Sequence, residues 1–417
     1  MEQFQWNNEE QPERVILVAV CTGEEADTER SLDELGQLVE TAGGEVLGQL
    51  YQNREYPEPG TYIGKGKIEE IRELAENMEA DGIVCDDELS PAQMRNLSNI
   101  LGLKVMDRTL VILDIFAQHA RTNEGRIQVE LAQLSYRASH LTGMGVSMSR
   151  LGGGIGTRGP GETKLEMDRR RIASRISQLK KELREVVANR EQQRKSRQRQ
   201  NMPVAAIVGY TNAGKSTLLN ALTDAGILAE DKLFATLDVT TRKLLLPGKQ
   251  EILLTDTVGF ISKLPHNLVD AFRSTLEEAV YADYIIHVVD ASNPHWEEQM
   301  VTVYRTLDQL GVSGKKIFTL FNKMDQITDT DRRFDRRADR TLQISAKKGT
   351  NLEKLQEEIA EMLAEDLIHI QHTFTYSQMD LVEQIRKKGR ILAEEYREDG
   401  VYLEADVPAA IAGLIRE

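Results

Sequence analysis

Residues 204 to 217 read Val-Ala-Ala-Ile-Val-Gly-Tyr-Thr-Asn-Ala-Gly-Lys-Ser-Thr. The apolar run Val204–Val208 has the length and composition of a buried strand, and the glycine-rich turn Gly209-Tyr-Thr-Asn-Ala-Gly-Lys215-Ser216 opens a helix. A strand, a tight turn and a helix N-terminus aim successive backbone N–H groups at one point, which forms a cradle for phosphate. Gly209, Tyr210, Thr211, Asn212, Ala213, Gly214 and Thr217 supply that cradle. The Lys215 ammonium is placed to neutralise β- and γ-phosphate oxygens, and the Ser216 hydroxyl to ligate Mg²⁺.

Working outward, apolar strands recur at Glu251–Thr255, Tyr284–Val289, Lys316–Phe321 and Thr341–Ile344, with helical segments between most of them and a helix near Leu352–Ala364. This alternation predicts a doubly wound, mainly parallel α/β sheet. The strand ends carry the remaining chemistry. Asp256-Thr257-Val258-Gly259 closes one strand: Asp256 is expected to hold Mg²⁺ through water, and the Gly259 N–H to meet the γ-phosphate. Asn322-Lys323-Met324-Asp325 closes another. A carboxylate at 325 accepts from guanine N1–H and the 2-amino group, a pattern adenine does not offer. Asn322 is expected at the other base edge, with Lys323 across the ring and against the phosphate loop. Ser345-Ala346-Lys347 follows the next strand and offers a backbone N–H to guanine O6. The order of these elements separates GTP from ATP, and the chain reads as a GTPase.

Between the phosphate loop and Asp256, a threonine must ligate Mg²⁺ and cover the γ-phosphate, ordering its loop with GTP. Thr236 is the first choice, with Thr240 and Thr241 as rivals. Lys215, Thr236 and Gly259 are thus the expected catalytic residues, and Ser216, Thr236 and Asp256 the expected metal ligands. Position 260 is Phe, where Ras-like enzymes carry a water-orienting glutamine. A phenyl ring does not hydrogen-bond water, so intrinsic hydrolysis is expected to be slow. Asn212 is a candidate for holding a K⁺ ion in place of an arginine finger, or equally for stabilising the turn.

The 417 residues exceed one ordinary domain. No run approaches the roughly 18 apolar residues of a membrane span. The acidic, polar N-terminus does not read as a secretory signal. The two cysteines, Cys21 and Cys85, sit in apolar runs and read as reduced core thiols of a cytoplasmic protein. Net charge is −15, yet residues 164 to 199 hold thirteen Lys/Arg against five Asp/Glu. That inversion points to one region meeting a polyanion.

Upstream, Val15–Val20, Glu45–Leu50 and Gly82–Cys85 read as strands, Ser31–Ala42 and Lys67–Met78 as helices, and Ser90-Pro91 as a helix start. Next comes long helix. Ile127, Leu131, Leu134, Ala138 and Leu141 form one narrow seam, and Leu165, Ile172, Ile176, Leu179, Leu183 and Val186 another. Two such seams around Gly152–Gly161 fit an antiparallel hairpin. After the sheet domain, the tail reads strand (Thr373–Tyr376), helix (Met379–Tyr396), strand (Val401–Ala405) and short helix. The expected division is a small α/β domain (1–108), a helical hairpin with a glycine-rich tip near 150–162 (109–200), a P-loop GTPase domain (201–366) and a short α/β module (367–417).

Asn123-Glu-Gly-Arg-Ile-Gln-Val-Glu-Leu-Ala-Gln-Leu134, Arg158-Gly-Pro-Gly-Glu-Thr-Lys-Leu-Glu166 and Phe234-Ala-Thr-Leu-Asp238 together resemble HflX-type GTPases over most of residues 10 to 365. Val239 departs from the proline of many relatives. The resemblance implies a cytoplasmic, partly ribosome-associated factor that binds the large (50S) subunit and its 23S rRNA. Such a factor separates stalled or idle 70S ribosomes under stress such as heat, with GTP favouring binding and the ribosome stimulating hydrolysis. GTP and GDP are its nucleotides, Mg²⁺ its cofactor, and K⁺ a candidate second ion. A monomer is expected, and peripheral membrane association stays open. The hairpin tip carry-over falls on Gly152–Gly161 with Arg150 and Arg158. With Lys164, Arg169, Arg170, Arg171 and Arg175 these make the expected RNA contacts, since flexible glycine and arginine suit phosphate. Two other readings stand beside ribosome splitting: a factor in large-subunit assembly, and a GTP-gated protein-interaction switch.

Overall fold

The computed structural model describes residues 12–141, 160–199, 202–223, 233–234, 240–263, 273–327, 333–365, 367–407 and 409–415. By its internal contacts the chain divides into two units.

The first unit runs to Val186 and also takes in Leu233, Phe234, Ser262 and Lys263 among the described residues. Its order is β1 (Arg14–Cys21), α1 (Glu25–Ala42), β2 (Glu45–Asn53), α2 (Lys65–Met78), β3 (Gly82–Cys85), α3 (Pro91–Leu101), β4 (Lys104–Asp107), α4 (Arg108–His119), α5 (Asn123–Leu141) and the start of α6 (Pro160–Arg199). The four strands form a parallel sheet in the order β2-β1-β3-β4. Val15–Cys21 is buried throughout, as a strand covered on both faces requires. Helix α3 starts where expected: Ser90 Oγ accepts from Gln93 N while Gln93 answers the Ser90 N–H, and Pro91 fills the first turn.

The boundary expected at 108/109 falls one residue inside α4. Val111, Ile112, Ile115 and Phe116 are buried, and α4 packs on α1, so α4 belongs to the sheet domain. The two hairpin seams meet: Ile127, Leu131 and Leu134 share a cluster with Ile176, Leu179, Leu183 and Val186. Arg175 forks onto Glu130 through Nε (2.7 Å) and a terminal nitrogen (2.8 Å). At the base of α5, Tyr136 Oη donates to Asp107 Oδ2 at 2.9 Å.

The second unit contains β5 (Val204–Gly209), α7 (Lys215–Thr223), β6 (Thr240–Leu245), β7 (Glu251–Asp256), α8 (Arg273–Tyr281), β8 (Tyr284–Asp290), α9 (Trp296–Gln309), β9 (Lys316–Asn322), β10 (Arg340–Gln343) and α10 (Leu352–Ala364). The six strands lie in the order β10-β9-β8-β5-β7-β6. All pair in parallel except β6, which runs antiparallel to β7. Leu218, Leu219 and Leu222 of α7 and Leu355, Ile359 and Leu363 of α10 share the core with Ile207, Ile252, Ile286 and Leu320. Truncating a buried leucine such as Leu219 to Ala costs about 2–5 kcal/mol in such a core.

The tail is β11 (Ile368–Phe374), α11 (Met379–Lys388), β12 (Arg390–Arg397), β13 (Gly400–Val407) and α12 (Ala409–Ile415), with an antiparallel sheet in the order β11-β13-β12. The helix expected over Met379–Tyr396 is therefore half helix and half strand. Gly389 ends it: a Cβ there would lie 2.7 Å from the Asp406 carbonyl oxygen. From Arg390 onward the chain pairs with β13.

Candidate nucleotide site

The carboxyl ends of β5, β7, β8 and β9 lie side by side, because Ile207 pairs with Asp256, Gly209 with Val288 and Asp290 with Asn322. This is the edge of an open parallel sheet at which ligands bind. The glycine-rich turn leaves β5 here. Gly214 adopts φ 92°, and a Cβ on it would lie 2.3 Å from Asn322 Nδ2, so the position admits glycine alone. Asn212 is also left-handed at φ 60°, which asparagine tolerates.

Lys215 is buried, and its Nζ donates to the carbonyl oxygens of Tyr210 (2.8 Å) and Gly209 (3.2 Å). Burial lowers its pKa to about 8, with the Asp256 charge opposing. Ser216 Oγ donates to Asp256 Oδ2 at 2.6 Å. Asp256 Oδ1 is buried and without a hydrogen-bond partner. Burial raises the Asp256 carboxyl above its ordinary value, against the pull of Lys215, Ser216 and the Thr257 N–H. An acceptor oxygen with no donor, beside a hydroxyl, is a donor set that fits a hard cation such as Mg²⁺.

Gly259 lies against the turn: a Cβ there would be 2.8 Å from Thr211 Cα and 3.0 Å from Lys215 Nζ. Phe260 is stitched to the same turn by its backbone, its N–H donating to Gly209 O (3.1 Å) and its carbonyl accepting from Thr211 N (2.7 Å). Its ring is 1% exposed, turned into the protein. Thr257 donates its hydroxyl to Ile207 O at 2.8 Å, and the Val258 side chain is buried, so both serve the sheet with their side chains.

Thr236 lies outside the described residues, as do Arg150 and Arg158 and the side chain of Lys164. Of the two rival threonines, Thr240 stands opposite Asp256 in the β6–β7 register. The Thr241 hydroxyl pairs with that of Thr255 at 3.1 Å.

The base-side residues divide their labour differently from expectation. Asn322 is buried and engaged at both amide ends: Nδ2 donates to Ala213 O at 2.9 Å, and Oδ1 accepts from Ala346 N at 2.9 Å. It braces the phosphate turn against the Ser345-Ala346-Lys347 loop. That brace is the hold on the phosphate loop expected of Lys323, whose Nζ instead pairs with Asp290 Oδ2 at 2.9 Å. Asp290 was not legible as a site residue, since nothing local marks a strand-end aspartate as a lysine partner. Asp325 is exposed, and Ser345 Oγ donates to its Oδ1 at 2.6 Å. That bond, first, holds its carboxyl below the ordinary range. Lys347 is exposed beside the buried Ser345 and Ala346.

On the hairpin, Arg169, Arg170 and Arg171 are exposed. Arg170 pairs with Glu166 at 2.6 Å and Arg171 with Asp168 at 4.0 Å, contacts between solvated side chains worth little. Arg175 differs. Its guanidinium forks onto Glu130 across the hairpin, with 40% of the side chain still exposed.

Three family models match consecutive segments: "GTP-binding GTPase N-terminal" over residues 29–117, "GTP-binding GTPase Middle Region" over 119–197, and "50S ribosome-binding GTPase" over 204–323. The chain is 58% identical over 399 residues to "GTPase HflX" of Lacrimispora saccharolytica, covering 96% of this chain and 94% of that one. It is 47% identical over 406 residues to the protein of that name from Caldanaerobacter subterraneus, covering 97% and 93%. With the Escherichia coli protein of that name it shares 42% identity over 364 residues, covering 87% and 85%. A phosphate turn braced to a base loop, a serine–aspartate pair beside it, and identity sustained through all three segments make this chain a GTPase of the HflX family.

Proposed function

We propose that the chain is a ribosome-associated factor that binds the 50S subunit in its GTP form, contacts 23S rRNA through the hairpin, and separates 70S ribosomes under stress. The observation that carries this reading is the pairing of a nucleotide site with a long basic helix. Three consecutive exposed arginines, Arg169–Arg171, stand on α6, and the family model over 204–323 is described as ribosome-binding. No helix among the described residues is long and apolar enough to cross a membrane.

In hydrolysis, the turn's backbone N–H groups and Lys215 bind and orient the phosphates, and the Gly259 N–H meets the γ-phosphate. Ser216 and Asp256 would hold Mg²⁺, with a threonine of the 236–241 stretch; the ion would neutralise charge between the β- and γ-phosphates. Asp325, oriented by Ser345, selects guanine. Ala346 and Lys347 close the base loop. Phe260 offers water no donor or acceptor from its buried ring, so unaided turnover is slow and the ribosome supplies the missing stabilisation. Asn212 would hold K⁺ as a partial substitute, or serve the turn alone.

The test is sedimentation of 70S ribosomes with purified protein and a non-hydrolysable GTP analogue. Splitting shifts material from the 70S to the 50S and 30S peaks. An unchanged 70S peak overturns splitting, and binding to 50S alone would favour a role in subunit assembly. Reversing the charges of Arg169, Arg170 and Arg171 should abolish co-sedimentation; retention would redirect the hairpin towards a protein partner.

A further inference from the structure

The first unit carries a second charged centre that the GTPase reaction does not use. In the order β2-β1-β3-β4 the strand sequence reverses direction between β1 and β3, and the carboxyl ends of those strands flank the crevice where open α/β sheets bind ligands. Asp86 stands there, directly after β3, fully buried. Arg108 Nε and one terminal nitrogen both reach Asp86 Oδ1, at 3.2 and 3.0 Å. Its other terminal nitrogen reaches Glu34 at 2.7 Å and the Ser262 carbonyl at 3.0 Å. Asp86 Oδ2 accepts from Ser31 Oγ at 2.7 Å and from Lys263 Nζ, which also reaches Asp87 Oδ1 at 3.0 Å.

Without the lysine the cluster carries two uncompensated negative charges, and with it one. Asp86, Asp87 and Glu34 bring three negative charges, and Arg108 returns one. A buried carboxylate is retained when its lone pairs meet donors. Lys263 is 177 residues from Asp86 in the chain and only four from Gly259. Its backbone is left-handed at φ 52°, which residues with a Cβ disfavour, so the crevice holds it in a conformation it would not choose alone.

We propose that Lys263 is a positioning residue, the built-in ammonium ligand of this crevice, and that seating it there couples the conformation of Gly259 to the first unit. The coupling part rests on the reading that Gly259 meets the γ-phosphate. Its sign follows from packing. With Lys263 seated, Gly259 lies against Lys215 and Thr211 without space for a methyl group. A γ-phosphate must come between the Lys215 ammonium and the Gly259 N–H, so it favours release of the segment that Lys263 anchors. Linkage is reciprocal: emptying the crevice should raise affinity for GTP relative to GDP.

The experiment uses the full chain with Lys263→Ala. Thermal unfolding is followed with added ethylammonium or tetramethylammonium chloride at matched ionic strength, which equalises screening. Ethylammonium donates three N–H bonds and should recover lost stability; tetramethylammonium has the charge but no donor and should not. Equal effects of the two salts would overturn the ammonium seat. In parallel, affinities for fluorescent GDP and a non-hydrolysable GTP analogue are measured. The ratio should move about fivefold towards the GTP analogue, and ethylammonium should reverse it. A ratio that stays at the wild-type value while stability responds would make Lys263 a structural tie and overturn the coupling. If Lys263→Ala does not fold, Asp87→Asn removes one arm only and should move the ratio the same way by a smaller factor; no movement overturns the proposal. Gly259→Ala in the wild-type background tests the γ-phosphate reading by itself, because it leaves the crevice intact.

Discussion

The two parallel sheets of this chain treat the same geometric opportunity in opposite ways. In the second unit, the carboxyl end of β5 leads into a glycine-rich turn that holds Lys215 by two carbonyl oxygens, and Asp256 beside it keeps one carboxylate oxygen without a donor. In the first, the corresponding crevice beside β1 and β3 is filled by the chain's own charges: Asp86, Arg108 and Lys263. Both are buried polar centres at a strand-order reversal, but one keeps an oxygen without a donor and the other pairs its carboxylate oxygens. The difference is one of accounting for polar atoms rather than of fold. A sheet edge becomes a ligand site when its donors and acceptors are left short.

Four substitutions test that contrast, in descending order of effect. Arg108→Met should be the most damaging, because it strips Asp86 of its main counter-charge in a dry environment. A loss of about 3–5 kcal/mol is expected in denaturant unfolding of the first unit. If stability is unchanged, the filled crevice is not a closed electrostatic unit. Lys215→Ala should cost less stability than Arg108→Met, since Asp256 acts on this ammonium without a salt bridge and two carbonyl oxygens hold it, and should lower GTP hydrolysis about 10²–10³-fold. A large stability loss with modest kinetic loss would erase the distinction between the centres.

The third concerns His287, buried on β8 with Nδ1 unpartnered and its ring edge-on to Tyr304 at 5.1 Å. Burial lowers its pKa to about 4, Asp335 opposing. The folded state therefore refuses a proton that the unfolded chain accepts near 6.5. Its contribution is fully present above about pH 6.5 and is lost as pH falls towards 4, amounting to at most about 3 kcal/mol. His287→Phe should flatten the stability profile over that window, and an unchanged slope would refute the assignment. The smallest effect belongs to Ser345→Ala, which removes the donor that orients Asp325. GTP affinity should fall about fivefold, the roughly 1 kcal/mol of one ordinary hydrogen bond, because the Asp325 carboxylate it orients is exposed.

The phosphate turn, Asp256 and the Asn322–Asp325 string were legible because each is a local pattern at the end of an apolar strand. Three features were not. β6, Thr-Thr-Arg-Lys-Leu-Leu, is an edge strand with little apolar burial, so it carries no core signature. β12 continues the apolar spacing of α11, and only the close approach of Gly389 to β13 decides against helix. The Asp86–Arg108–Lys263 network joins residues up to 177 positions apart, each of which alone reads as a surface charge. The Arg175–Glu130 fork was hidden for the same reason, since it joins residues 45 positions apart on two helices.

Asn322 has one further consequence. Its two amide ends face opposite kinds of partner, an acceptor at Ala213 and a donor at Ala346, so the link has a fixed polarity. Exchanging the NH₂ group for oxygen, as in Asn322→Asp, alters almost no volume and leaves the Ala346 contact possible, yet sets a carboxylate oxygen against the Ala213 carbonyl. The two loops that would grip the ends of a nucleotide would then lose their shared frame. A ligand bridging them would have to align them itself at each encounter. Its residence time would shorten by more than the altered base-edge contact of residue 322 alone, although the phosphate turn, Asp325 and the Ser345–Lys347 loop keep every atom.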